Sequence, residues 1–240
     1  MNVVAVDKTG LEKSRIRYDQ FKVLRVKTLD GNSLKQISRP DMSNLYDIWN
    51  VGKGPPIGLH ADIMISPQNM DTVVNELKKM GIEYSIMIED VQALIDLENQ
   101  GTKTLENRNA EHPLTWTEYH SQNDMEAYME YLVETYPEMV SIEDIGASHE
   151  GRTMRVLRIC KGGVCGRKPT MWIDGGIHAR EWISPAVATY HMRELVENGD
   201  KYPSEIVDQL DWYILPVHNP DGYEYSRVRD RFWRKSRYGC

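Results

Sequence analysis

Three places in this 240-residue chain set a histidine and an acid three residues apart: His178/Glu181, His191/Glu194 and His218/Asp221. An imidazole nitrogen and a carboxylate oxygen at that spacing can meet on one metal ion, and zinc accepts both. With seven histidines in the chain, the spacing also arises by chance about once. Context has to choose. His191/Glu194 falls within a run of helical character, where an i,i+3 ion pair or a polar face accounts for it. His218/Asp221 sits beside Pro220 and Gly222, where an aspartate caps a turn. Only His178/Glu181 follows a strand candidate and a glycine pair, Gly175-Gly176, and leads into a helix. The glycines let the backbone turn sharply, and α/β proteins place ligands at such strand ends. A catalytic zinc site takes three protein ligands and a water, and this pair offers two of the three.

A second constellation lies downstream. Asn219-Pro-Asp-Gly222 precedes Arg231-Phe-Trp-Arg-Lys-Ser-Arg237, and six basic residues fall between Arg227 and Arg237. Guanidinium groups near a metal bind a carboxylate through two parallel hydrogen bonds or stabilise an oxyanion. The same residues also make an ordinary solvated surface. Trp233 stands between Arg231 and Arg234 and is placed to stack on either. The net charge of −7 argues against a nucleic-acid partner. No apolar run approaches the length of a membrane-spanning helix, and the composition, 40% hydrophobic and 27% charged, is that of a globular protein.

The elements that must position these residues fall into two modules. Phe21–Lys27, His60–Ile65 and Tyr84–Ile88 read as strands. Ser33–Trp49, interrupted by Pro40, reads as a helix, as do Asp71–Met80 and Val91–Leu97. That order suits a small two-layer α/β module. Residues 100–113 lose apolar periodicity and read as a linker carrying Lys103 and Arg108, which a trypsin-like protease could cut. The second module opens at Ser121-x-x-Asp124, an acidic capping box before a helical stripe of Met125, Met129, Leu132, Val133 and Tyr136. Val140–Gly146, Met154–Ile159, Thr170–Asp174 and Asp211–Val217 read as strands, and a helix begins at Ser184-Pro185 with a cap and a first-turn proline. Cys160 and Cys165 flank a turn-prone Lys-Gly-Gly-Val. They either close a small disulfide loop in an oxidising compartment or remain two thiols beside a hairpin. With Cys240 the count is odd, which leaves at least one cysteine without an intrachain partner. Met1-Asn-Val-Val-Ala-Val is too short an apolar run to read as a secretory signal.

Taken together, Glu150-Gly-Arg152, Trp172-Ile-Asp-Gly-Gly-Ile-His178, Gly176-Ile-His-Ala-Arg-Glu-Trp-Ile183, Asn219-Pro-Asp-Gly222 and Arg231-Phe-Trp-Arg-Lys-Ser-Arg237 resemble, in order and spacing, the motifs of the zinc metallocarboxypeptidases of the digestive A/B type. Met1–Arg108 is similar to that family's inhibitory propeptide. The resemblance implies a small ferredoxin-like α+β propeptide followed by the N-terminal part of a mixed-sheet α/β carboxypeptidase domain. It divides the chain into an extension (1–17), a propeptide (18–100), a linker with the activation cleavage site (101–113) and a partial catalytic domain (114–240).

The resemblance also implies roles. His178 and Glu181 would bind Zn2+, Arg180 would contact substrate, and Arg234 would polarise the scissile carbonyl and stabilise the oxyanion. Cleavage after Arg108, with Lys103 second, would release a propeptide that covers the cleft. The partners implied are peptide or protein C-termini and a trypsin-like activating protease, in an extracellular setting. In the family the third zinc-ligand histidine, the Asn-Arg pair, the general-base glutamate and the partner of Cys240 come later than Cys240, so a chain of these residues alone is expected to bind zinc weakly and to turn over little peptide. The alternative is a catalytically inactive homologue acting as an inhibitor or binding protein.

Overall fold

A computed structural model describes residues 15–27, 35–52, 60–98, 112, 114–203 and 208–239. Two compact units divide the chain, Arg17–Gln100 and Gly101–Cys240, the latter joined by Met1–Ile16. Arg108 and Lys103, the expected cleavage points, and Cys240 lie outside the described residues.

The first unit is a four-stranded antiparallel sheet in the order β2-β3-β1-β4. Its strands are β1 (Lys22–Lys27), β2 (Tyr46–Gly52), β3 (His60–Ile65) and β4 (Tyr84–Ile88), with helices α1 (Pro40–Ser43), α2 (Met70–Lys79) and α3 (Val91–Glu98). Leu24, Val26, Ile63 and Ile65 of the strands pack with Val73 and Leu77 of α2 in one core. The strand order is that of a ferredoxin-like fold.

One expectation in this unit needs correction. Ser33–Trp49 is not one helix: α1 is a single turn begun by Pro40, and Tyr46–Gly52 is a strand. The apolar spacing through Ile37, Met42, Leu45 and Ile48 fits a helical stripe, but Tyr46-Asp-Ile-Trp-Asn-Val is also rich in aromatic and β-branched residues. Pairing along β3, with Tyr46 opposite Ile65 and Ile48 opposite Ile63, decides for the strand. The Tyr46 hydroxyl, donating to the Ile37 carbonyl, ties the strand to the preceding turn.

The second unit holds a four-stranded mixed sheet in the order β5-β6-β8-β7. β6 (Thr153–Ile159) pairs antiparallel with both β5 (Val140–Ala147) and β8 (Asp211–Leu215), while β7 (Thr170–Asp174) lies parallel to β8. Parallel neighbours require a crossover, and α5 (Ile183–Val196) provides it. Met125, Tyr128, Met129 and Leu132 of α4 (Gln122–Thr135) share one core with Ala188, Met192 and Leu195 of α5 and with Leu157, Ile159 and Ile214 of the strands.

The start of α5 also differs from expectation. Trp182 is its N-cap, without a side-chain cap bond, and Ser184 does not cap it. Instead the Ser184 hydroxyl accepts the Gly176 N–H at 3.1 Å. A further helix, α6 (Pro220–Val228), stands where the sequence suggests only a turn. Asn219 caps it by accepting the Gly222 N–H at 3.1 Å, and Pro220 occupies its first turn.

The α4 cap is closed in both directions. Ser121 Oγ accepts the Asp124 N–H at 3.1 Å, and Asp124 accepts the Ser121 N–H at 3.0 Å. Replacing Ser121 with Ala is therefore expected to destabilise this unit by about 1 kcal/mol in urea melts. An unchanged midpoint would show that the cap contributes nothing here.

Candidate metal centre

The C-terminal tips of the parallel strands β7 and β8 carry the site. Gly175 donates to the Leu215 carbonyl, and the His218 and Asn219 N–H groups donate to Gly175 and Gly176, so the pairing of the two strands continues past their ends. Both glycines are required, for different reasons. Gly176 has φ +67, which side chains rarely adopt. A Cβ on Gly175 would stand 2.8 Å from the Pro216 carbonyl oxygen and 2.9 Å from that of Ser184.

The chain then turns through His178 and Glu181 before α5 begins. His178 Nδ1 lies 3.1 Å from Glu181 Oε2, and Arg234 Nη2 lies 3.3 Å from the same Nδ1. One nitrogen cannot both donate to the carboxylate and accept from the guanidinium. In its neutral, unprotonated form Nδ1 offers a lone pair beside a carboxylate oxygen, which is a donor set for a cation. Two donors each about 2.1 Å from a tetrahedral zinc stand about 3.4 Å apart, so this pair fits zinc with little adjustment. Among the described residues no group of three or more His, Cys, Asp or Glu side chains is gathered to hold a metal.

The peptide groups of this turn are held from outside it. Ala179 donates to the Arg234 carbonyl at 3.1 Å, and Arg231 Nη1 donates to the Arg180 carbonyl at 2.8 Å. The buried Ser226 hydroxyl of α6 lies 3.0 Å from the Ala179 carbonyl and accepts from Trp182 Nε1 at 2.8 Å. The Arg231 guanidinium stacks 3.8 Å over the Trp182 ring. Trp233 does not stack on Arg231 or Arg234: it meets Tyr225 edge-on, and Arg237 lies over both rings. Arg180 is half-buried on the turn, and Arg234 is exposed next to His178.

The other histidine–acid pairs are used elsewhere. His218 Nδ1 pairs with Asp174 at 3.3 Å. Glu194 accepts from Tyr202 and Asn198, which hold its carboxyl below the ordinary range, while His191 is exposed on α5. Cys160 and Cys165 are joined as a disulfide. Beneath that loop the buried Asp211 carboxylate accepts the Gly166 N–H at 2.7 Å.

Sequence reasoning missed a hub next to the site. Asp221, in the first turn of α6, accepts from Ser148 Oγ at 2.6 Å, the Glu150 N–H at 2.9 Å and Arg152 Nη1 at 2.7 Å. Glu150 in turn pairs with Arg152 and, at 3.4 Å, with Arg237 of the arginine segment. The helix signal was present in Asn219-Pro-Asp: a capping residue, a proline and a first-turn acid. Burial alone would raise the Asp221 carboxyl. The Ser148 hydroxyl, the Glu150 amide and the Arg152 guanidinium outweigh it and hold the group below its ordinary value of 3.8.

A carboxyl depressed on folding adds stability that is fully present above its unfolded pKa and is lost as pH falls through the folded one. Asp221→Asn is expected to cost about 2 kcal/mol at neutral pH. It should also flatten the loss of stability of this unit in urea melts taken below about pH 4. The same acid slope in both proteins would rule out Asp221 as the group responsible.

Comparisons with known proteins identify the family. Residues 125–239 match the profile of the family described as zinc carboxypeptidase, and residues 24–98 match that of the carboxypeptidase activation peptide. The chain is 34% identical to carboxypeptidase A1 of Bos taurus over 220 residues, covering 90% of this chain and 52% of that protein. It is 47% identical to carboxypeptidase B of Astacus astacus over 124 residues, 52% of this chain and 40% of that one. Among solved structures, carboxypeptidase A from Helicoverpa armigera superposes with a TM-score of 0.78 at 29% identity, covering 93% of this chain and 54% of that one. This chain spans about half the length of the curated relatives it matches. The family profiles fall on the two units in which the fold divides, and the second contains the His178/Glu181 turn; the chain belongs to the zinc carboxypeptidases that carry an activation peptide.

Proposed function

We propose that this chain is part of a secreted zinc-dependent carboxypeptidase precursor that removes C-terminal residues from peptides. The observation that carries the reading is the convergence of His178 Nδ1, Glu181 Oε2 and the Arg234 guanidinium at the tip of β7. His178 and Glu181 would hold the zinc, with a further ligand completing the set. Bound there, zinc supplies Lewis acidity and an activated water for hydrolysis.

Further roles fall to residues of this chain. Glu181 places a negative charge beside His178 and so favours cation binding at this point. Arg234, whose guanidinium faces His178 Nδ1 in the metal-free structure, would be released when zinc takes that lone pair and would then offer its positive charge to the tetrahedral oxyanion. Arg180, on the same turn, would contact the substrate. Gly175 and Gly176 set the direction of the whole turn. The unit Arg17–Gln100 would act as the inhibitory propeptide, released by a trypsin-like protease at Arg108 or, second, at Lys103. The Cys160–Cys165 disulfide supports an extracellular setting.

A second reading is a catalytically inactive inhibitor or binding protein. The transcript beyond Cys240 separates the two. Continuation into an Asn-Arg pair and a distant His and Glu supports the enzyme, and a stop codon supports the binding protein. In equilibrium dialysis, His178→Ala and Glu181→Ala are each expected to lower zinc affinity at least about tenfold. Arg234→Ala is expected to lower kcat of the activated zinc enzyme by about 10²–10³ with little change in KM. Unchanged zinc affinity in both ligand variants would sink the assignment.

A further inference from the structure

Asn219 stands between the two halves of the site, and none of the roles assigned above uses its amide nitrogen. Its side chain is buried. Oδ1 accepts the Gly222 N–H and caps α6. Nδ2 points the other way: it donates to the Lys235 carbonyl at 3.1 Å and, at a longer 3.4 Å, to the Ile177 carbonyl. Ile177 directly precedes His178, and Lys235 directly follows Arg234. The reversed orientation of the amide would set its oxygen against two carbonyl oxygens and its nitrogen against an N–H, so the hydrogen-bond pattern fixes which atom is which.

Resting on the zinc carboxypeptidase reading, we propose that Asn219 is a positioning residue whose amide sets the distance between the His178/Glu181 pair and the Arg234 guanidinium. The two segments it joins are 58 residues apart at Ile177 and Lys235, and only a few bonds span them. Ala179 N–H to the Arg234 carbonyl is one, and Arg231 to the Arg180 carbonyl is another. Asn219 differs from both because a single NH2 group contacts the two segments at once, so neither can shift without losing a bond to the other. Its own position is fixed by β7–β8 pairing through the Gly176 carbonyl and by the cap on α6. Gly222 is part of the same device. A Cβ there would lie 2.4 Å from Asn219 Nδ2 and 2.6 Å from the Lys235 carbonyl oxygen, so only glycine admits this approach.

Capping and clamping can be separated. Asn219→Asp keeps a cap oxygen for Gly222 and removes the donor to both carbonyls; Asn219→Ser also keeps a cap and lacks the reach. Hydrogen–deuterium exchange on the metal-free 240-residue chain reads the clamp directly. Both variants are expected to raise exchange of the Ala179 amide about tenfold while leaving the Gly222 and Tyr223 amides protected. In the activated zinc enzyme, Asn219→Asp is expected to lower kcat about tenfold with KM within about twofold, because the misplacement acts on transition-state charge.

Unchanged exchange at Ala179 in both variants overturns the proposal. So does loss of protection spread along α6, which would mean that the residue only caps. A full kcat in Asn219→Asp, beside an Arg234→Ala enzyme that has lost activity, also overturns it. If Arg234→Ala itself keeps full activity, the reading of Arg234 fails, while the exchange result still decides whether Asn219 joins the two segments.

Discussion

The site depends on one constraint: the residues between β7 and α5 must present His178 and Glu181 on the same side without regular structure to hold them. A turn of this kind has peptide groups that neither a strand nor a helix can satisfy. Here they are taken up by α6 and by the arginine segment that follows it. Arg234 receives the Ala179 N–H, while Ser226, Arg231 and Asn219 reach the carbonyls of Ala179, Arg180 and Ile177. The polypeptide that fixes the His178/Glu181 pair is thus also the one that delivers the guanidinium beside it. The acid–histidine pair and the guanidinium share one scaffold, and their spacing is set by hydrogen bonds to the backbone of the turn.

The parallel pairing of β7 with β8 brings that scaffold into place. Because the strands end together, the segment leaving β8 runs alongside the glycine pair leaving β7, and His218 and Asn219 bond to Gly175 and Gly176. α6 then starts directly over the turn. Asp221 extends the arrangement to the loop between β5 and β6 by gathering Ser148, Glu150 and Arg152, and Glu150 returns to the arginine segment through Arg237. Burial would penalise a lone carboxylate at Asp221. Three donors make it a junction instead.

Much of this was legible in the residues, and what was not has a physical explanation. Ser121 and Asp124 announced the start of α4 because a capping box is a local arrangement within four residues. Thr170–Asp174 was bounded correctly, since glycines close it on one side and its strand character is local. The apolar spacing of strand β2 fits two periods, and what decides between them is its pairing with β3, which is not local in sequence. Asn, Pro, Asp and Gly at the start of α6 suit a turn and a helix cap alike, and only the following Tyr223–Val228 settles which. Adjacency in sequence misplaced the stacking of Trp233, which meets Arg237 while Arg231 covers Trp182. The chemical types at His178, Glu181 and Arg234 could be read directly. Their supports could not: Asn219 reaches Ile177 across 42 residues, Ser226 reaches Ala179 across 47, and Ser148 reaches Asp221 across 73.

Those separations bear on how the site comes into being. The His178/Glu181 turn is short in sequence, yet all four of its outside supports follow β8 in the chain. Each of them bridges the α5 crossover that lies between β7 and β8. Closing such a loop costs entropy before any of its contacts returns stability, and parallel pairing through a crossover is among the slower ways to build a sheet. The α4 cap and the β5–β6 hairpin have no such requirement. The His178/Glu181 turn is therefore held by the same docked segment that carries Arg234.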